Sequence, residues 1–471
     1  MKLDFDLIMF FAFLAINLSV GLFYGRGVKN IRDYATGGRD FSIATLTATL
    51  VATWVGAGTF QNTLIETYRQ GLACLIPALL SDAQILLIAY FFIPRMTEFI
   101  GNLSIAECMG SLFGKNIRII TACIALLRCV GILAIQFKLS AKIFELIFGA
   151  SGMWVTLTSA GVVIIYSTFG GIRAVTFTDV IQFLTFGTII PILLVFMWHD
   201  VGGYDVVSAT IANSPLFSFS GLLNAGSLKT YNLISIIILF AIPQFSPSVF
   251  QRILMAKDIK QAQASFKIAS LFIPLISLSI AAMSVFVLAD NPNLDPENVL
   301  KHIFNKYSYM GLKGLCAIGV MAMVMSTADS LINSMSVTFA HDICGPLNLK
   351  SEDNFFVASK FFALFSGVCA LLIAFCFSSI FKLIITVFGF YVATVAVPFI
   401  LAVLGFRSSA TSVLIGMFGA VGVGALLKFL YPDLDPYGYS AIANAVFLFA
   451  SHYLLRQKGG WIEDKDPIAE Q

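Results

Sequence analysis

The chain has 471 residues, of which 58% are hydrophobic and only 12% charged, with a formal net charge of +3. Soluble domains run near a quarter charged, so a water-soluble globule is excluded, whereas a bilayer can hide this much apolar surface. The few positive charges form no basic patch with interleaved aromatics, which argues against nucleic acid as a partner.

Apolar segments follow one another near 4–25, 42–66, 72–97, 117–149, 153–170, 176–199, 230–252, 264–289, 311–343, 355–378, 380–406, 409–430 and 437–456. Runs of about 20 residues suffice to cross roughly 30 Å of hydrocarbon as helices. Helices satisfy their own backbone amides in lipid, and the continuously apolar runs lack the alternation of a β-barrel. The expected fold is therefore an all-α polytopic membrane protein with about thirteen transmembrane helices. The seams at 170–176 and 378–380 are the narrowest. Segments 117–149 and 311–343 exceed one perpendicular crossing and are expected to tilt or project. The run Leu7 to Tyr24 is long for a signal peptide and no small-residue cleavage pattern follows it, so it reads as a retained helix.

Lys and Arg set the orientation. Arg26, Lys29, Arg32 and Arg39 open a series of basic loops, continued by Arg95, Lys115, Arg118, Arg173, Arg252, Lys257, Lys260, Lys267, Lys350, Arg407, Arg456, Lys458 and Lys465. The alternate loops hold only Arg69, Lys229, Lys301, Lys306, Lys313 and Lys428. The basic side is expected in the cytoplasm, with the N-terminus outside and the tail 457–471 inside. The compact chain, without glycosylated domains, points to a cell inner (plasma) membrane. The eight cysteines sit mostly in apolar runs without metal-ligand spacing and read as small buried hydrophobes.

Four places break the apolar pattern, and polar groups inside a membrane tend to be functional. In Ala52–Phe60, Gly56 and Gly58 with Thr53 and Thr59 weaken a helix; an unwound helix frees carbonyls for a cation, while the same small residues also suit close helix packing. In Met325–Ser334, residues Ser326, Asp329, Ser330 and Asn333 share one helical face of hard oxygen ligands suited to Na⁺, or a stripe of interhelical hydrogen bonds. Asp179 lies near the start of the sixth segment, either as a functional carboxylate or in a capping box with Thr176, and Arg173 beside it also fits an interface anchor. In the fourth segment Gln136 and Lys138, with Lys142 one turn on, suit a substrate carboxylate. Lys138 also suits a pair with Asp329 or Asp179, or snorkelling to the interface.

These residues resemble the sodium:solute symporter family, which includes sodium–glucose, sodium–proline and high-affinity choline transporters. The resemblance covers nearly the whole chain. It is carried by Asp33-Tyr34 through Arg39, Gly170-Gly171 through Gln182, Gln251-Arg252 through Asp258, and Met325–Ser330. It implies a LeuT-type core of five helices repeated with inverted topology, over 42–199 and 230–406. Residues 1–41 would precede the core, an extracellular loop 200–229 would join its halves, and helices within 407–456 would follow. The implied sodium site comprises the carbonyls of Ala52, Val55 and Met323 and the hydroxyls of Ser326 and Thr327. A second cation site maps to Asp179, Asp329 and Ser330, where Asp329 replaces a hydroxyl, leaving a second Na⁺ or a proton as the occupant.

Ala52–Gly56, Ile242-Pro243 and Phe250–Arg252 look most like the choline branch, and Trp54 stands at one position of its aromatic cage. The other two cage tryptophans are absent, Gln244 occupying one position, and Lys138 would repel a cation. A zwitterion such as an amino acid or betaine, a quaternary amine or a carboxylate would then meet Trp54, Thr59, Gln136, Lys138, Gln244 and Ser246.

The expected activity is secondary active, Na⁺-coupled symport of such a solute by alternating access, with Na⁺ as the coupling ion and no cofactor. Alternatives are a proton-coupled carrier on the same fold, kept open by Asp179 and Asp329, and a transporter-like membrane sensor. An enzyme is not expected: no nucleophile–base pair or His/Glu metal cluster is present, and His199, His302, His341 and His452 lie at segment ends or in loops.

Overall fold

The computed structural model describes residues 5–149, 152–219, 222, 228–307, 309, 311–349, 352–376 and 380–462. Most of the expected tail, with Lys465, lies outside the described residues, as do Lys350 and most of the seam at 378–380.

In chain order the helices are α1 (Phe5–Tyr24), α2 (Ile31–Thr36), α3 (Ile43–Trp54), α4 (Ala57–Gln70), α5 (Leu72–Leu87), α6 (Ile105–Phe113), α7 (Lys115–Phe148), α8 (Gly152–Val201), α9 (Tyr204–Asn213) and α10 (Leu228–Ala241). They continue with α11 (Pro247–Leu254), α12 (Ile259–Asp290), α13 (Val299–Lys306), α14 (Leu312–Thr338), α15 (Glu352–Cys376), α16 (Ile380–Tyr391), α17 (Val397–Val403), α18 (Ala410–Leu430) and α19 (Tyr437–Leu454). A short antiparallel pair, Phe406–Arg407 with Gly460–Trp461, ties the end of the described chain to the α17–α18 turn.

Local chemistry fixes several of the helix starts. Ser42 caps α3 by accepting from the Thr45 amide, and Ser409 caps α18 in the same way. Asp258 accepts from the Gln261 amide at 2.7 Å, while Gln261 Oε1 takes the Lys257 amide at 2.8 Å, a reciprocal cap that starts α12.

Among the described residues, nine helices are long and apolar enough to cross a membrane, and the bent pair α3–α4 makes ten. Thirteen runs were expected from the sequence. Part of the difference lies in α8, which joins the runs 153–170 and 176–199 and is non-helical inside only at Gly171 (φ 62°, ψ −164°). A helix of 50 residues would reach about 75 Å, more than twice the hydrocarbon thickness, so the chain turns at Gly171 and either side suffices for a crossing. The run 230–252 is also divided. Helix α10 ends at Ala241, an irregular stretch follows in which Phe245 has φ 45°, and Pro247 opens α11.

Packing is inverted relative to a soluble protein. From Cys316 to Thr338 every side chain of α14 is buried, and α1, α7 and α8 pack around it. Large apolar side chains such as Leu271, Phe361 and Phe418 stand exposed on the perimeter, where lipid tails would meet them. Helix α1 docks on α8, and Gly25, just beyond its end, meets Gly170 so closely that a Cβ on Gly25 would come within 2.2 Å of the Gly170 Cα.

Candidate functional site

The break between α3 and α4 sits at Val55–Gly56 and bends the pair by 53°. Glycine at position 56 serves two ends: it weakens the helix, and a Cβ there would lie 2.5 Å from Thr327 Oγ1 on α14. At the break the Gly56 amide bonds the Trp54 carbonyl at 3.1 Å and no longer closes the helical turn onto Ala52. The freed Ala52 carbonyl instead accepts from Ser326 Oγ at 2.9 Å, and the same hydroxyl lies 3.2 Å from the Met323 carbonyl. Thr327 Oγ1 is buried with no hydrogen-bond partner among the described residues. Ala52, Met323, Ser326 and Thr327 are thus gathered at the turn that Val55 forms. Neutral oxygens alone, one of them orphaned, suit a hard monovalent cation.

One to two turns along α14 lies a buried ionic cluster. Arg252 on α11 is 1% exposed. Its Nη2 donates to Asp179 Oδ2 at 2.9 Å, to Ser330 Oγ at 2.6 Å and to Thr49 Oγ1 at 3.0 Å, and Thr49 itself donates to Asp179. Asp329 Oδ2 accepts from Tyr166 Oη at 2.7 Å. The structure brings Asp179, Asp329 and Ser330 together, and it also puts a guanidinium among them. The capping box expected at Thr176–Asp179 does not form. Thr176 Oγ1 donates back to the Ile172 carbonyl at 2.8 Å within a continuing helix, which leaves Asp179 for Arg252. The basic partner expected from Lys138 is likewise supplied by Arg252.

The two helix breaks frame a cavity of about 160 Å³ between α3, α4, α5, α7, α11 and α16. Trp54, Thr59, Gln136, Gln244 and Ser246 all line it, as does Thr327. Lys138 is half-buried and is not among the lining residues. Further along α7, Lys142 reaches Glu297 at 3.5 Å.

The positive charge in the cavity is Arg128, a residue that reading the sequence passed over. Its Nη2 donates to Gln244 Oε1 at 3.2 Å, and its guanidinium lies 4.5 Å from the Phe388 ring centre and 5.2 Å from that of Tyr391. Two acids also line the cavity. Glu66 pairs with Arg69 at 2.6 Å, whereas Asp82 accepts the Trp54 indole N–H at 3.2 Å and joins no ion pair among the described residues. Several polar atoms of this wall are buried without a hydrogen bond among the described residues: Asp82 Oδ2, Arg128 Nε, Gln136 Oε1 and Gln244 Nε2. Orphaned polar atoms are rare in folded proteins, and a cluster of them around one cavity fits a polar ligand. Arg128 and Asp82 did have a sequence signal, being ionisable groups inside the apolar runs of segments four and three.

At the face carrying Asp6, Arg69 also bonds Glu297 at 3.0 Å, beside the end of the cavity marked by Glu66 and Gln70. Toward the opposite face the interior is tightly tied. Tyr34 Oη donates to the Ser167 carbonyl at 3.1 Å, Gln251 Nε2 to the Ala35 carbonyl at 2.8 Å, and Arg173 bridges Asp40 at 3.1 Å.

Comparison with known proteins agrees with this architecture. The chain is 24% identical to a sodium/glucose cotransporter of Vibrio parahaemolyticus, covering 94% of this chain and 89% of that one. It is 25% identical to a sodium/sialic acid symporter of Proteus mirabilis (strain HI4320), over 72% of this chain and 71% of that one. Its fold matches a solved Na⁺-coupled sialic acid symporter in a substrate-bound outward-open state, with a TM-score of 0.84 at 20% identity, covering 97% of this chain and 99% of that one. A nucleobase-cation-symport-1 family transporter matches with a TM-score of 0.59 at 15% identity, over 89% and 94% of the two chains. The expected LeuT-type architecture is the fold of these neighbours. Residues 34–420 match the sodium:solute symporter family, whose members are transporters and not enzymes, and this chain belongs to that family.

Proposed function

We propose that this protein couples the inward movement of Na⁺ to the uptake of a small organic solute bearing a carboxylate, with Arg128 as the carboxylate anchor. The observation that carries this reading is the Arg128 guanidinium. It is buried on the cavity wall within 5.2 Å of the Phe388 and Tyr391 ring centres, with Nε unpartnered among the described residues. A planar fork in a dry site suits bidentate recognition of a carboxylate.

Na⁺ binds first, between the carbonyls of Ala52, Val55 and Met323 and the hydroxyls of Ser326 and Thr327. These oxygens tie α3 to α14, so the ion favours the arrangement in which the two are in register, by its difference in affinity between states and no more. The solute enters the adjoining cavity, where Thr327 belongs to both sites and Trp54 stands next to Val55 on the cavity wall. The five-helix units 42–199 and 230–406 then rock about the sites. The Na⁺ gradient and about 2.3 kcal/mol per charge per 100 mV supply the drive. With the N-terminus outside, the cavity would open toward the extracellular Arg69–Glu297 face, as in an outward-facing state. The cluster of Asp179, Asp329 and Ser330 serves as the cation-sensitive latch on α14, with Arg252 as its resident counter-charge.

The test is binding to purified protein by thermal shift, across monocarboxylates, amino acids, hexoses and choline, in Na⁺ and in K⁺. Stabilisation by carboxylate-bearing solutes in Na⁺ alone, lost in Arg128→Gln, supports the reading. Stabilisation by hexoses or choline instead, or equally in K⁺, rejects it.

A further inference from the structure

Two buried charges of opposite sign line the cavity, and neither is paired. Asp82 on α5 is 3% exposed and Arg128 on α7 is 5% exposed, yet neither joins an ion pair among the described residues. Of the other buried carboxylates among the described residues, three are paired, while Asp6 and Asp329 are held by hydrogen bonds alone. Glu66 has Arg69, Asp179 has Arg252, and Asp342 has Arg118 at 2.9 Å. A buried charge without a counter-charge is costly, so two of them on one cavity wall are a feature that needs a use.

The neutral contacts of the two leave specific atoms open. Trp54 Nε1 satisfies Asp82 Oδ1, and Gln244 Oε1 takes one N–H of Arg128. Asp82 Oδ2 and Arg128 Nε complete no hydrogen bond among the described residues, though the Ser277 hydroxyl lies close enough to Asp82 to interact with its carboxylate. A brace holds the walls in place: Gln84, two residues beyond Asp82, donates to the Phe240 carbonyl at 2.6 Å and accepts the Gln244 amide at 3.2 Å.

We infer that Asp82 is the second recognition pole of the solute site, and that the solute is a zwitterion whose ammonium bears at least one N–H. Its carboxylate sits on Arg128 and its ammonium on Asp82 Oδ2; the inference rests on the carboxylate reading given above. A monocarboxylate would leave Asp82 bare, and a simple amine would leave Arg128 bare. The geometry also separates an amino acid from a betaine. Trp54 turns the edge of its indole to Asp82, so at that carboxylate the ring supports the acceptor and offers no cationic cage. A quaternary ammonium has no proton for Oδ2, whereas a primary or secondary one does.

The experiment measures binding in Na⁺ to the wild-type protein by thermal shift and titration calorimetry. The probes are the proteinogenic amino acids, β-alanine and γ-aminobutyrate, each beside its amine-free monocarboxylate and its N-trimethylated form. At least one amino acid is expected to bind about tenfold or more tighter than both of its analogues. In Asp82→Asn that ratio is expected to fall to near one, with Na⁺-induced stabilisation as the check that the variant is folded. Equal binding of the amine-free analogue by the wild type, lost in Arg128→Gln, overturns this inference and leaves the carboxylate reading standing. Equal binding of the trimethylated form overturns it as well, as does an unchanged ratio in Asp82→Asn or the lack of any amino-acid binding. Full binding in Arg128→Gln overturns both readings.

Discussion

A Cβ added to Gly56 would stand 2.5 Å from the Thr327 hydroxyl oxygen, so the kink in α3–α4 and the orphaned hydroxyl of α14 leave no room between them. This contact joins the helix break to the proposed ion site. Gly56→Ala must push Thr327 away or straighten the kink. The expected result is a rise of about tenfold or more in the Na⁺ concentration for half-maximal stabilisation, with expression retained. Na⁺ titrations of purified wild type and variant check it.

The Arg128 site demands a planar fork. Its guanidinium is stacked near Phe388 and Tyr391 and bonds Gln244, a geometry that an ammonium cannot reproduce. Arg128→Lys keeps the charge, yet is expected to weaken solute binding by roughly a hundredfold, or about 3 kcal/mol. Calorimetry on the variant decides: near-normal affinity would mean that only the charge matters.

The Arg252–Asp179 pair is wholly enclosed, with exposures of 1% and 0%. Removing one partner strands the other, at a cost of about 3–5 kcal/mol, while an apolar replacement of both can be nearly neutral. Arg252→Met alone is expected to lower the melting temperature strongly, and Arg252→Met with Asp179→Leu to regain much of the loss. A double variant as unstable as the single one would show that the cluster does more than balance charge.

Glu107 caps α6 at its junction with the end of α14. Burial alone would raise its carboxyl, but His341 Nε2 at 3.1 Å, the Leu103 amide and nearby Arg118 together hold it below the usual range. A depressed folded value contributes stability above the ordinary Glu range, near 4.3, and loses it as pH falls through the folded value. Between about pH 5 and 3 the wild type should therefore lose stability more steeply than Glu107→Gln. Melting curves across that window provide the check.

Much of this was legible in the sequence because a bilayer imposes simple rules. Apolar length marked the helices, and Gly56 with Gly58 marked the broken one. The oxygen-bearing stripe on α14 marked Ser326 and its neighbours. The division of 230–252 into α10 and α11 was signalled by Pro243 and Pro247, but the apolar content of the run hid it. The assignment of a basic residue to the solute site went to Lys138. A helical period places residues on a face only once the neighbours are known, and in α7 the neighbours put Arg128 on the cavity. Asp82 escaped notice because it lies within an apolar run whose register says nothing of Trp54. Arg252 reads from the sequence as one of many loop cations, and only the α10–α11 break carries it inward to Asp179.

The central claim is that Na⁺ held at Ala52, Val55, Met323, Ser326 and Thr327 drives transport. The most direct measurement is solute uptake into proteoliposomes by wild type and by Ser326→Ala with Thr327→Ala, over a Na⁺ titration at fixed membrane potential. The solute is whichever amino acid or carboxylate the binding screen yields. The account predicts that the double variant inserts, melts normally in K⁺ and loses Na⁺-stimulated uptake. Uptake with the wild-type dependence on Na⁺ in that variant would contradict it.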